Sequence, residues 1–281
     1  MTEIPKCQEL QRLWQSLGPE ARAQLWTKHR DDLLAAGLLR PQVKQVAADD
    51  GAGRYDVESP GMSDYWKQIQ AHGISNSGDF MGKTDAARHM DHYLKGTGRT
   101  LDLDVDRMLA DDPSIRDAVA QVRIAEQDEW RQRALEAFEK SGGEPVAIPV
   151  ESGSKGYEHE KGPDGTNNWY LAVGSGMTNT TGVVTAVPGP DGKPQVSIEY
   201  QVNVWDRYNW DETKATPIGP TTVTDADMVR MHTTGWAREF DMRGSSSVQR
   251  HDLSAGGSWP APEDTGRSGT RTDIGRNSAA R

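Results

Sequence analysis

Between residues 8 and 39 the large apolar side chains recur at spacings of three, four and seven: Leu10, Leu13, Trp14 and Leu17, then, beyond Gly18 and Pro19, Leu25, Trp26, Leu33 and Leu34. That spacing puts each set on one face of a helix. Pro19 suits a first helical position and Gly37 a stop, so the segment predicts a helical hairpin. Periodicity is lost over 40–60, around Asp49-Asp-Gly-Ala-Gly53, which reads as a loop. Helices are predicted over 63–72 and 84–95. On the second, Ala86, Met90, Tyr93 and Leu94 share a face, while Asp85, His89 and His92 share the other and read as solvated. Residues 100–106 alternate Leu101, Leu103 and Val105 with aspartates, as a strand does. A long helix is predicted over 114–140. Its first half has an apolar stripe (Ile115, Ala118, Val119, Val122), but the second places Glu126, Glu129 and Arg133 in it, as in a partly solvated strut.

After Gly143 the period changes from 3.6 to 2. Strands are predicted over 145–150, 169–173, 182–187 and 195–205, the last two joined by a Pro- and Gly-rich turn at 188–194. The Gly-, Ser- and charge-rich stretch 151–168 reads as a flexible loop. In the last strand Val196, Ile198, Tyr200, Val202 and Val204 face one way and Ser197, Glu199, Gln201 and Asn203 the other, the pattern of a half-buried antiparallel strand. A final helix is predicted from Thr224 to about Phe240, with Asp225 and Asp227 in its positive first turn. The expected architecture is α+β: a helical part (1–112), a strut helix (113–143), a small antiparallel sheet packed by a helix (144–243) and a disordered tail (244–281).

Composition sharpens the tail. About one residue in six is Leu, Ile, Val or Phe, below the ~20% level at which a charged chain begins to read as partly disordered. Nine Trp and nine Met can fill a core short of aliphatics. After residue 243 the sizeable apolar groups are only Val248, Leu253, Trp259 and Ile274. The formal charge of −10 argues against non-specific adhesion to nucleic acid or anionic lipid. Cys7 is the single cysteine, so no intrachain disulfide or cysteine-rich zinc site can form. The first ten residues lack a basic segment followed by an apolar run, and no stretch approaches the ~18 apolar residues of a membrane span. The chain is expected to be made in the cytoplasm without a signal peptide, and any export to use a route that does not read one.

Candidate chemistry gathers at the end of the strong strand. By strand parity Asp206 follows Val202 and Val204 toward the core, and a buried carboxylate needs partners. On the last helix His232 and Glu239 fall in the apolar arc of Met228, Met231 and Trp236. Asp206, His232 and Glu239 can therefore meet. A histidine flanked by carboxylates suits general acid/base work, and equally suits a satisfied core network. The interleaved aromatics and charges of 205–211 nominate Arg207, Tyr208 and Trp210 as ligand contacts or as a satellite core. Asp85, His89 and His92, at spacings of four and three, have the spacing of metal ligands but read more simply as a solvated face. Asp102-Leu-Asp-Val-Asp106 lacks the glycine and bidentate glutamate of a calcium loop. No phosphate-binding glycine loop or nucleophile elbow appears, so neither metal nor cofactor is assigned.

Three stretches carry a resemblance. LWQSLGPE at 13–20, followed by a helix ending in AGL, resembles a module of actinobacterial proteins associated with type VII secretion and polymorphic toxins. HYLKGTGRTLDLDVDRML at 92–109 is similar to a segment recurring in that setting. DRYNWD at 206–211 with MHTTGWAREF at 231–240 resembles the end of uncharacterised C-terminal domains of large secreted bacterial proteins. The resemblance implies a secreted effector or toxin-like protein, with secretion machinery or an immunity protein as partner. It brings no established active site. The other reading is a non-enzymatic structural or interaction module whose polar cluster belongs to the core.

Overall fold

A computed structural model describes residues 4–42, 51–80, 82–162, 167–210, 215–218, 221–254 and Trp259. The fold is α+β. At its centre two long antiparallel strands, β4 (Ser175–Pro188) and β5 (Pro194–Tyr208), form a hairpin across the predicted turn, where the Gly189 N–H donates to the Lys193 carbonyl at 2.8 Å. Each central strand is bordered by two short ones. β2 (Val146–Glu151) and β3 (Lys155–Glu158) pair along β4, and β8 (Phe240–Ser245) and β9 (Gln249–Asp252) pair along β5. β1 (Leu101–Asp102) closes the sheet, parallel to β8. β6 (Ala215–Ile218) and β7 (Thr221–Thr224) make a separate hairpin.

The predicted hairpin of α1 (Ile4–Ser16) and α2 (Pro19–Ala35) is present, and its Trp14 and Trp26 rings lie 5.8 Å apart. With Leu33 and Leu39 they pack on Ala147 and Val183, so the hairpin covers one face of the sheet. That cover changes the reading of β5. Its core-facing residues are Val196, Ile198, Tyr200, Val202 and Val204, as the alternation predicts, but the other face is not left to water. Asn203 is buried and donates to Asn179 Oδ1 (3.0 Å) and Thr181 Oγ1 (2.9 Å), while Glu199 pairs with Arg30 of α2.

On the opposite face lies α6 (Pro113–Lys140), started by Asp112, whose carboxylate accepts the Ser114 N–H at 2.8 Å. Its second half is not a solvated strut. Trp130 and Ala134 are buried against Val146, Ile148, Val184 and Ile198. Arg123 is buried too, its guanidinium 4.4 Å from the Tyr200 ring centroid and 4.9 Å from that of Trp259. An arginine flattened between aromatics serves as a core position, which a hydrophobic pattern cannot register.

The rest of this face is covered by α4 (Thr84–Leu94), α5 (Val105–Asp111), α7 (Asn168–Ala172) and α8 (Asp225–Thr233), with α3 (Met62–Phe80) outside α4 and α8. Four local expectations are corrected here. Only Leu101 and Asp102 of the strand-like stretch are strand, because Asp104 accepts the Arg107 N–H and starts α5. Residues 155–158, expected in a loop, are β3. The expected strand at 169–173 is α7, because the Asn167 side chain caps it through the Trp169 and Tyr170 N–H groups. The last helix stops at Thr233: Gly235 takes φ +77°, the Trp236 N–H returns to the Met231 carbonyl, and Phe240 begins β8 instead.

The tail is corrected as well. Residues 244–254, expected to be unordered, complete β8 and supply β9, with Leu253 buried. Ser246 repeats the ladder with its side chain: the Val202 N–H donates to Ser246 Oγ (2.9 Å), and the Ser246 N–H to the Val202 carbonyl (2.8 Å). The open edge of β5 provides the backbone hydrogen bonds that so polar a segment needs. Residues 260–281 lie outside the described residues.

Candidate functional site

His232 and Glu239 come together where α8 turns into β8. The Glu239 N–H donates to His232 Nδ1 (3.2 Å), which makes Nδ1 the acceptor and leaves Nε2–H to donate to the Gly53 carbonyl (3.2 Å). Both ring nitrogens are committed. Burial lowers the His232 pKa, against the pull of the Glu239 charge, so the ring is neutral. Glu239 is buried, and its Oε1 accepts from the Ala52 N–H (2.8 Å) and the Trp210 N–H (2.9 Å). Its Oε2 lies 3.7 Å from Arg207, which also donates to Asp241 at 3.0 Å. A Cβ on residue 51 would fall 2.6 Å from Glu239 Oε2, and Gly51 has φ +42°, so glycine lets the 51–53 strip reach the carboxylate. The arrangement ties three distant backbone segments together. It leaves no free lone pair on His232 for proton transfer.

The other sequence candidates divide. Arg207 and Trp210 join this network, Trp210 through its backbone. Tyr208 stacks on Phe240 (4.9 Å, 11°) in the main core, beside Tyr93 and His89. Asp206 lies on the strand face opposite Arg207, beside Tyr157, and is separated from the His232–Glu239 pair; the charges acting on His232 are Glu239, Arg207 and Arg238. The polar face of α4 is not solvated. Asp85 pairs with Arg107 and Asn168, His92 Nε2 donates to the Arg99 carbonyl (2.7 Å), and His89 Nδ1 to the Ala172 carbonyl (2.6 Å). Asp85 and His89 find their partners in the layer folded over them, and His92 in the turn that follows α4. Among the described residues no group of three His, Cys, Asp or Glu side chains is arranged to hold a metal ion.

A second polar cluster escapes the sequence reading. His159, just past β3, is buried, and its Nδ1 lies 2.8 Å from Asp112 Oδ2. Burial acts to raise the Asp112 pKa, but hydrogen bonds from Ser114 and His159 prevail and hold it below the usual carboxylate range. Burial also lowers the His159 pKa despite that carboxylate. A neutral ring donating Nδ1–H to Asp112 has its Nε2 lone pair open, and Nε2 is buried without a hydrogen-bond partner. The Tyr157 hydroxyl, on a ring 5.1 Å away, is also buried and unpartnered, as is His89 Nε2. Burial, with the charges of Asp206 and Asp112 adding to it, keeps the phenol protonated. Each such group forgoes about 1–3 kcal/mol relative to a satisfied one. The signal for this cluster was the alternation of Tyr157 and His159 on one strand face, too short to stand out in a Gly- and charge-rich stretch.

No family model, curated protein or solved structure matches this chain.

Proposed function

We propose that this is a secretion-associated, effector-like protein that works by binding another protein chain, and that Asp206, His232 and Glu239 serve its fold and not a reaction. The resemblance of residues 13–20, 92–109 and 206–240 to secreted bacterial proteins supports the setting. The observation that carries the binding reading is on α3. Met62, Tyr65, Trp66 and Ile69 are 78, 48, 64 and 45% exposed at spacings of three, four and seven. Four large apolar side chains on one exposed helix face are the pattern of an interaction surface, and aromatics of this kind dominate binding energy. The occupant is a second copy. Two such helices crossing antiparallel about a two-fold axis are each other's complement, so no groove is needed on the partner. The stripe falls well short of the ~800 Å² a side of a standard interface, so the association is weak, in the micromolar range or above.

Sedimentation of the full chain tests this. Concentration-dependent dimers that Trp66→Lys abolishes are expected. A chain that stays monomeric to millimolar concentration overturns the dimer. Killing of a bacterial host that expresses the chain, lost with a folded His232→Gln variant, overturns the non-catalytic role of the cluster.

A further inference from the structure

In the sequence between Leu253 and Ile274 the single large apolar side chain is Trp259, with Ala-Gly-Gly-Ser before it and Pro-Ala-Pro after it. Four side chains hold that indole. Its ring stacks on His251 of β9 (4.3 Å, 20°) and meets Tyr200 of β5 edge to face (4.9 Å, 81°). Its Nε1–H donates to Gln127 Oε1 of α6 at 3.0 Å, and the Arg123 guanidinium, one turn earlier on that helix, lies 4.9 Å from the ring centroid. The three elements meet on one face of the sheet. His251 pairs with Ile198 and Gln249 with Tyr200, and Ile198 and Tyr200 both look toward α6. Arg123 gains from the arrangement. Its guanidinium is buried, no carboxylate among the described residues pairs with it, and its charge is answered by the Tyr200 and Trp259 rings, the second of which is present only while the indole is seated.

This seat differs from that of a core tryptophan. Trp130 is buried against aliphatic side chains, whereas Trp259 is half-buried and rests on a guanidinium, an amide, an imidazole and a phenol ring. Water can hydrate the first three when the indole leaves, and the aliphatic core of α6 and the sheet stays closed beneath them. The chain on either side of Trp259 adds no apolar anchor of its own, so attachment rests on one side chain. We infer that Arg123, Gln127, Tyr200 and His251 form a recognition site for a tryptophan carried on a peptide segment, and that Trp259 fills it reversibly and so fastens the C-terminal segment of this chain. The tether is short, since Ser254 Oγ still accepts the Val196 N–H at 2.6 Å. Docking is therefore intramolecular, and a site too weak to capture a free peptide at low concentration is filled in cis. The site is independent of the α3 surface.

The test supplies the segment from outside. The full-length Trp259→Ala chain, labelled with 15N-arginine and 15N-histidine, is titrated with the peptide SAGGSWPAPE (residues 254–263) and with the same peptide carrying Trp259→Ala. The Arg123 Nε–H and His251 ring resonances are expected to shift saturably with the tryptophan peptide, at a Kd of about 1 mM, and to stay put with the alanine peptide. In the wild-type chain, where the tethered Trp259 competes, binding is expected to be about tenfold weaker or more. No saturable shift up to about 10 mM, or equal binding to the two chains, overturns the site. Reversibility is read on the wild-type chain by hydrogen exchange of the indole N–H groups. That of Trp259 is expected to exchange by local opening, unaffected by low urea and about a hundredfold faster than that of Trp169, which is buried in the main core and donates to Asp111. A Trp259 proton as slow as that of Trp169 overturns release, and one as fast as a free indole overturns the seat.

Discussion

Among the described residues two buried histidine–carboxylate clusters have nearly the same composition and differently bonded rings. Around His232 both ring nitrogens bond to backbone and Glu239 gathers the Ala52 and Trp210 N–H groups, although Arg207 Nε and Trp210 Nε1 beside them are buried without partners. Around His159 one nitrogen is fixed by Asp112, while the other and the hydroxyl of the neighbouring Tyr157 are buried without partners. The residue types therefore do not distinguish a staple from a site. Whether the histidine's own nitrogens are filled does, because a fully bonded ring adds rigidity whereas an open nitrogen costs stability.

The largest expected effect comes from a third buried histidine with one open nitrogen, at acid pH. Burial, opposed by the Ala172 hydrogen bond, holds His89 at about 3, against about 6.5 for an unfolded histidine. Below about 6.5 the unfolded chain takes up a proton that the folded chain refuses until about 3. Stability is therefore full above that range and falls as pH drops through it, by on the order of 4–5 kcal/mol from this group alone. Urea unfolding at pH 7 and pH 4, where about 3 kcal/mol of that loss is already present, checks this, and His89→Gln should flatten the difference.

On the closed side, Glu239→Ala strands two buried N–H groups and is expected to cost about 2–4 kcal/mol in urea unfolding, with Glu239→Gln, which keeps an acceptor oxygen, losing about half as much. The direct contrast comes from two Phe substitutions. His232→Phe removes two made hydrogen bonds and should cost about 2 kcal/mol, whereas Tyr157→Phe removes an unmade one and should be neutral or stabilise by up to about 1 kcal/mol. Equal losses in the two variants would erase the distinction drawn between the clusters. Smallest of all, Trp66→Lys on the exposed α3 face should change monomer stability by no more than about 0.5 kcal/mol, since it removes surface and no core.

Much of the fold is legible along the chain because its signals are local. The α1–α2 hairpin announces itself in the spacing of Trp14, Trp26 and Leu33, and β5 in the alternation from Val196 to Val204. Legibility fails where partners lie far off in sequence. The aspartates after Leu101 read as one face of a strand until Asp104 caps a helix, and Asp85, His89 and His92 read as solvated until α5, α7 and the sheet close over them. The segment after residue 243 looks too polar to order because its stabilisation comes from the edge of β5 and not from its own side chains. Of the site residues, His232 and Glu239 were placed together by helical phase, although Glu239 is beyond the end of α8 and reaches the ring through its backbone.

The sequence by itself determined the class of the fold, the helices of the first half other than α5 and the central hairpin, since periodicity and turn residues act within a few positions of one another. Only the tertiary structure decided which polar groups have partners. Asp112 meets His159, Tyr157 lies toward Asp206 and His232 closes on Gly53 across separations that carry no periodic signal. Whether a buried nitrogen is spent or open is fixed by which layer folds over it.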